Sequence, residues 1–257
     1  MDASGVEGGV SDDTLLGGRV LLRQPVRGYR AAIDPVFLAA AVPAEAGQSV
    51  LDVGCGVGAA ALCLAARVPG CRVSGIEVQA PLAALARDNA ERNGLAGRVV
   101  VVTGNLLDPP PRLAPGSFHH VMTNPPFLAA DRADLPPDAG KALANVEGGA
   151  DLAAWMRFCV NMLRPKGTLT VVHRADRLDE LLAALRGKVG GVSVVPLWPK
   201  AGRPAKRIVL RARKGVSSPL ELTAGLVLHQ ADGAYTPGAE AVLRDGRGLD
   251  EAIAPAP

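Results

Sequence analysis

The run Ser49-Val50-Leu51-Asp52-Val53-Gly54-Cys55-Gly56-Val57-Gly58, leading into the alanine-rich stretch 59–67, leaves the chain little choice of architecture. The first five residues suit a short buried strand. Glycines at 54, 56 and 58 make a turn that approaches a neighbour without Cβ interference, and a helix through Ala59–Arg67 follows. A strand that feeds a helix through a tight turn is the building unit of a parallel sheet.

The unit recurs along the chain. Strands are predicted at 49–53, 72–76, 98–102 and 118–122, with helices over 58–67 and 80–93, the second closed by Asn93-Gly94. Ala31–Val42 reads as a preceding helix with Asp34-Pro35 in its first turn. A helix over Asp151–Leu163, a strand over Gly167–His173, a helix over Leu178–Leu185 and strands at 191–197 and 206–213 complete the pattern, with 225–229 a further candidate strand at the end of the sheet. The expected fold is a single α/β domain, doubly wound and Rossmann-like, with a seven-stranded sheet and an antiparallel ending. Leu15–Arg23, turning at Gly17-Gly18, reads as a small hairpin before the core. Residues 1–13, glycine-rich and acidic, are expected to be disordered, 14–245 to form the domain, and the tail 246–257 to be loose. Residues 128–147, with three prolines or glycines among several charges, read as a mobile loop.

Composition narrows the class. A hydrophobic content of 48% with 21% charge suits a globular protein with a sizeable core, and no apolar run reaches the ~18–20 residues needed to span a bilayer. No basic segment precedes an apolar one at the N-terminus, so no secretory signal is expected. Cys55, Cys63, Cys71 and Cys159 show neither C-x-x-C pairing nor histidines at zinc spacing; they read as reduced core residues of a cytoplasmic protein that needs no metal. The net charge is only +3, but the first 150 residues are net acidic and the remainder net basic. Arg186, Lys188, Lys200, Arg203, Lys206, Arg207, Arg211, Arg213 and Lys214 have no acid between them, and neither do Arg19, Arg23, Arg27 and Arg30. Such clusters attract a phosphate backbone, which makes RNA the expected partner. With aromatics at 3%, an extended base-stacking platform is not expected.

Four strand ends carry the candidate chemistry, at the sheet edge where open α/β folds bind ligands. The glycine turn departs from the G-x-G-x-x-G dinucleotide pattern, and Asp52 ahead of it would repel a pyrophosphate while attracting a cationic amino group. Glu77 ends the second strand at the height of ribose hydroxyls. Asn105, with Leu106 beside it, follows the third strand and can meet an adenine edge. Asn124-Pro125-Pro126-Phe127 ends the fourth. Two prolines stop that strand rigidly, Asn124 offers an amide oxygen, and Phe127 offers an apolar face for a planar molecule that carries an amino group. His119 and His120 point to opposite faces of the strand and read as packing residues, not bases.

Asp52-Val53-Gly54-Cys55-Gly56-Val57-Gly58 together with Asn-Pro-Pro-Phe resembles the S-adenosylmethionine-dependent amino methyltransferases, and most of all the bacterial tRNA adenine-N6 methyltransferases that modify a valine tRNA beside its anticodon. The segment Gly28 to Ala39, the segment Pro204 to Leu210, and Leu226 to His229 with Asp232 to Thr236 are similar to parts of the same family, so the likeness runs from about Thr14 to Arg244. It implies a class I methyltransferase fold and cofactor contacts from Arg30, Asp34, Asp52, Gly54, Cys55, Gly56, Glu77, Asn105, Leu106 and Asn124. It further implies catalysis by Asn124, Pro125, Pro126 and Phe127. The family usually has an acid where Asn105 stands and often a Tyr in place of Phe127. The implied reaction is methyl transfer to an exocyclic nucleobase amine in RNA, N6 of an adenosine in tRNA. Guanine-N2 methylation of rRNA, glutamine-N5 methylation of protein and a catalytically idle nucleic-acid-binding module are the alternatives.

Overall fold

The computed structural model describes residues 9–27, 30–126 and 150–253. Phe127, Gly28, Tyr29 and the loop expected at 128–147 lie outside them. The chain opens with strands β1 (Val10–Leu15) and β2 (Val20–Pro25), followed by helix α1 (Asp34–Ala41). Strand β3 (Ser49–Val53), α2 (Ala59–Arg67), β4 (Arg72–Glu77), α3 (Ala80–Arg92), β5 (Val99–Thr103) and β6 (Phe118–Thr123) then alternate. Beyond the undescribed stretch come α4 (Leu152–Met162), β7 (Leu163–Arg174), α5 (Leu178–Leu185), β8 (Val189–Lys200) and β9 (Arg207–Lys214). Two short strands, β10 (Glu221–Leu222) and β11 (Leu226–His229), and helices α6 (Pro237–Leu243) and α7 (Leu249–Ile253) finish the chain.

The main sheet runs β5-β4-β3-β6-β7-β9-β8. Its first five strands are mutually parallel, and β9 is antiparallel to both β7 and β8. These are the seven strands and the antiparallel ending that the sequence predicts. The sheet has nine strands in all, because β10 and β11 both lie parallel along the outer side of β8, at Ser193–Val194 and at Leu197–Lys200. A twelve-residue edge strand would present a long row of unpaired backbone groups, and the two short strands cover part of it.

A parallel sheet is buried on both faces, and alternation along each strand assigns its residues to two cores. Val50, Val73, Val99 and Val101 face the core made with α1, α2, α3, α6 and α7. Leu51, Val53, Ile76, Val102 and Val121 face the core made with α4 and α5. Where the parallel strands end, α2 and α3 begin, so side chains and backbone at that edge are fixed from both sides.

Among the described residues, 10–13 and 247–253 are ordered where a disordered start and a loose tail are expected. Val10 to Asp13 form a strand, because their charges are paired within the fold. Asp13 accepts from Arg30 (2.7 Å) and Gln24 (3.0 Å), and Asp12 accepts from Arg23 and Arg92 (both 3.1 Å). The buried Asn89 of α3 holds β2 by accepting from the Arg23 N–H and donating to its carbonyl. At the other end residues 247–253 are anchored, with Leu249 fully buried and Asp250 paired with Arg211 at 2.6 Å.

Candidate active site

Register places the four candidate strand ends side by side. Val53 pairs with Thr123 on one side and with Ile76 on the other, and Glu77 pairs with Thr103. Asn124, Gly54, Glu77 and Gly104 therefore follow one another across the same edge, in the spatial order β6, β3, β4, β5. The chain reverses its winding direction between β3 and β6, and that switch point opens the crevice where such sheets bind ligands.

The glycine turn is held from below and open above. Gly54, Gly56 and Gly58 have φ of +70°, +54° and +84°, a region that side chains rarely adopt. The N–H groups of Gly54 and Cys55 donate to the Ile76 carbonyl (2.9 and 3.1 Å). The Glu77 carboxylate accepts from Gly56 N–H through one oxygen and from Gln79 N–H through the other, both at 2.9 Å. A Cβ at Gly54 would strike Trp155 at 2.8 Å, and one at Gly58 would crowd Ala86 at 3.3 Å. One at Gly56 meets nothing within 4 Å, so the turn leaves a cradle there. Cys55 lies within the turn, its thiol held neutral by burial, and Gly75 makes room for its sulfur.

Burial raises the Glu77 carboxyl above its usual range. Asp52 points to the α1–α2 face and accepts from the Ala61 N–H in the first turn of α2. Burial, helped by the charge of Glu77, pushes its carboxyl up to about 7. Its second oxygen is buried without a hydrogen-bond partner among the described residues, which leaves a polar atom beneath the turn for a ligand to meet.

Two residues that sequence reasoning missed join the strand ends. The Trp155 indole N–H donates to the Thr123 hydroxyl (2.8 Å), which donates to the Val53 carbonyl (2.8 Å), all buried. The chain of bonds ties α4, the strand carrying Asn124 and the strand carrying Gly54. Its one sequence signal was a rare tryptophan, one of 2 in the protein, inside an apolar helix. Pro125, Pro126 and Trp155, with Ala150, Leu152 and Arg177, line a small cleft beside the strand end. Asn124, next in the chain to Pro125, is half-buried, with its side-chain oxygen buried.

Other predicted residues sit less simply. The Asn105 amide oxygen accepts from Leu107 N–H at 2.9 Å, closing its own turn. With the oxygen engaged, the NH₂ of Asn105, a donor suited to a ring nitrogen, is the group that can meet an adenine edge. Leu106 is half-buried against the α4-side core. Arg30 is taken up by the hairpin, donating to Ser11, the Pro25 carbonyl and Asp13 at 2.7–2.8 Å. Asp34 accepts from Arg207 at 3.0 Å, joining α1 to β9. His119 and His120 bond to Ser49 (2.9 Å) and Gln48 (2.7 Å) on the early half of β6, away from the crevice, and burial lowers both. All four cysteines are free and buried, no described group of histidine, cysteine or carboxylate residues is placed to hold a metal, and no described helix is long and apolar enough to cross a membrane.

A glycine turn tied to the carboxylate that ends the next strand, beside an Asn-Pro-Pro strand end, across the switch point of a doubly wound sheet, is the layout of an S-adenosylmethionine-dependent methyltransferase, and the chain is an enzyme of that class. Residues 32–196 match the family model described as the methyltransferase small domain, and the chain belongs to that family. It is 29% identical over 209 residues to a tRNA1(Val) (adenine(37)-N6)-methyltransferase of Aeromonas hydrophila, covering 80% of this chain and 85% of the relative. It is 30% identical over 219 residues to an enzyme of the same name from Porphyromonas gingivalis, covering 81% and 84%. Among solved structures it is similar to a protein described as a predicted O-methyltransferase of Agrobacterium tumefaciens, with a TM-score of 0.70, 25% identity, and coverage of 84% of this chain and 97% of that one. The site fits the cofactor: the cradle at Gly56, the acceptor pair Asp52 and Glu77, and the donor end of Asn105 match a ligand with an amino group, ribose hydroxyls and an adenine.

Proposed function

We propose that the chain methylates the exocyclic amine of a nucleobase in RNA, N6 of an adenosine in tRNA, in the cytoplasm. The observation that carries the proposal is the pairing of Val53 with Thr123, which sets the glycine turn one strand spacing, about 4.8 Å, from Asn124. The relatives' activity supports tRNA and adenine as the substrate.

S-Adenosylmethionine, when bound, supplies a methyl group already activated on a sulfonium, so the protein's part is positioning. Gly54, Cys55 and Gly56 would hold it with Asp52 and Glu77, and Asn105 and Leu106 would meet its adenine. An exocyclic amine donates its lone pair into the ring and is a weak nucleophile. The Asn124 side-chain oxygen and the Pro125 carbonyl accept its two N–H bonds and turn the lone pair out of the ring plane. Pro125 and Pro126 keep those acceptors from moving, because both φ angles are fixed. Phe127 stacks on the ring, and the base leaves its own stack to reach it, at a cost of a few kcal/mol.

Asn124→Ala is expected to lower turnover by roughly 10²-fold or more, the scale of losing one preorganised hydrogen-bond partner, with S-adenosylmethionine affinity retained. The assay is transfer of a tritiated methyl group to separate tRNA, rRNA and protein fractions, with nucleoside analysis. Label recovered as N6-methyladenosine in tRNA supports the proposal. Label in N2-methylguanosine or in protein transfers the same amine chemistry to another substrate and overturns the tRNA assignment.

A further inference from the structure

The RNA reading leaves open which of the many basic residues meet the strand that carries the target base. The structure divides them into three groups. In the first, Arg19, Arg23 and Arg30 of the N-terminal cluster are engaged within the fold. Arg23 pairs with Asp12 and Asp88, Arg30 with Asp13, and Arg19 donates to the carbonyls of Leu16 and Arg244. Within the C-terminal run, Arg207 and Arg211 are likewise paired, with Asp34 and Asp250.

Antiparallel pairing separates the rest. Strands β8 and β9 form a hairpin in which Leu197 faces Arg207 and Val189 faces Lys214. Because β7 runs parallel to β6, and Arg174 at the end of β7 faces Arg207, the turn between β8 and β9 projects from the same sheet edge as Asn124. The Ala175 N–H donates to the Lys206 carbonyl at 3.1 Å, which carries the ladder up to that edge. Lys200 at the end of β8 and Arg203 and Lys206 in the turn itself are all exposed and without a carboxylate partner among the described residues. Lys200 rests one N–H on the Ala231 carbonyl, which fixes its stem and leaves its charge outward. Three strand steps, about 14 Å, separate β8 from β6. Arg164, Arg186, Lys188, Arg213 and Lys214 stand at the opposite edge, where β7 and β8 begin and β9 ends.

We propose that Lys200, Arg203 and Lys206, on the turn between β8 and β9, grip the phosphates that flank the target base, and that the basic residues of the opposite edge take no part. The inference rests on the proposed RNA activity. A base drawn into the crevice keeps its neighbouring phosphates within one or two nucleotides of it, a reach that matches the turn and falls short of the far edge. The turn is also anchored at its base, since the Arg203 N–H donates to the Lys200 carbonyl at 3.2 Å, Lys200 pairs with His229 of β11, and Pro204 fixes one φ angle within it.

The test compares two triple variants, Lys200→Ala/Arg203→Ala/Lys206→Ala at the turn and Arg164→Ala/Arg186→Ala/Lys188→Ala at the far edge. Binding to a pool of in vitro transcribed tRNAs is measured by anisotropy across a salt series, with S-adenosylmethionine affinity as the control for folding. The turn variant is expected to bind at least tenfold more weakly and to lose about 2 to 3 from the slope of log K against log salt, about one per phosphate contact removed. The far-edge variant should keep both values. Equal losses in the two variants, or a loss confined to the far edge, overturn the proposal. Wild-type protein that neither binds nor methylates any RNA fails at an earlier step, refuting the activity together with the surface built on it.

Discussion

Removing the Thr123 hydroxyl tests whether the crevice depends on the bond chain beneath it. Thr123→Val keeps the side-chain shape and leaves the buried Trp155 indole N–H with no acceptor, while the Val53 carbonyl loses a donor. An orphaned buried donor costs about 1–3 kcal/mol and the lost second bond about 1 kcal/mol, together roughly 2–4 kcal/mol. In a chain of this size each kcal/mol shifts the melting temperature by about 2–4 °C, so a drop of roughly 4–16 °C is expected. Trp155→Phe removes the donor itself, and in that background Thr123→Val should cost about 1–3 kcal/mol less than in the native protein. The double-mutant cycle is read by urea unfolding followed by circular dichroism. Since Asn124 directly follows Thr123, the single variant should also lose turnover more than S-adenosylmethionine affinity. Additive effects, within about 0.5 kcal/mol, would refute the role given to the bond chain, as would unchanged turnover.

Three further outcomes follow from the geometry. The folded protein holds a proton on Asp52 up to about pH 7 that the unfolded chain releases near 3.8, so stability from this group declines as pH rises between those values and is flat above them. Asp52→Asn should therefore show a flatter urea-midpoint profile, its advantage over the native protein greatest above pH 7 and fading toward pH 4; parallel profiles would exclude the assignment. Gly56→Ala imposes a left-handed side chain at a cost of about 1–2 kcal/mol, but its Cβ enters the cradle, so calorimetry should show cofactor affinity falling by more than stability does. Leu249→Ala should cost about 2–5 kcal/mol if α7 belongs to the fold, and a loss below ~0.5 kcal/mol would detach it.

What could be read from sequence was what local spacing determines. Each strand end carrying a candidate residue, from Val53 through Glu77 to Thr123, lies within a residue or two of its expected place, because apolar runs and glycine or proline breaks set those boundaries locally. What depended on distant partners was hidden. Asp12 and Asp13 looked like a disordered acidic start because nothing nearby in sequence announces Arg92 or Arg30 as their partners. Asn105 was judged by its place after a strand, whereas its oxygen closes a two-residue turn. Trp155 and Thr123 stand 32 positions apart and meet only because α4 packs over the β3–β6 junction.

The basic C-terminal run shows how strongly topology can overrule a linear pattern. Read as a string, Arg186 to Lys214 is one acid-free cluster. Folded as β8 and β9, it doubles back, so its middle reaches the edge that holds Asn124 and both its ends lie at the far side of the sheet. Two of its members, Arg207 and Arg211, meanwhile become ion-pair partners for α1 and α7. A surface that guides RNA to the crevice therefore cannot be the whole run. The part the proposal draws on is the one lifted to the edge of Asn124 by the antiparallel turn, and that turn stands on β9, which is bound to β7 and through it to the strand that leads into Asn-Pro-Pro. On the proposed function, substrate grip and amine positioning would both be borne by this one continuous sheet, and a weak nucleophile could be placed with few aromatic residues.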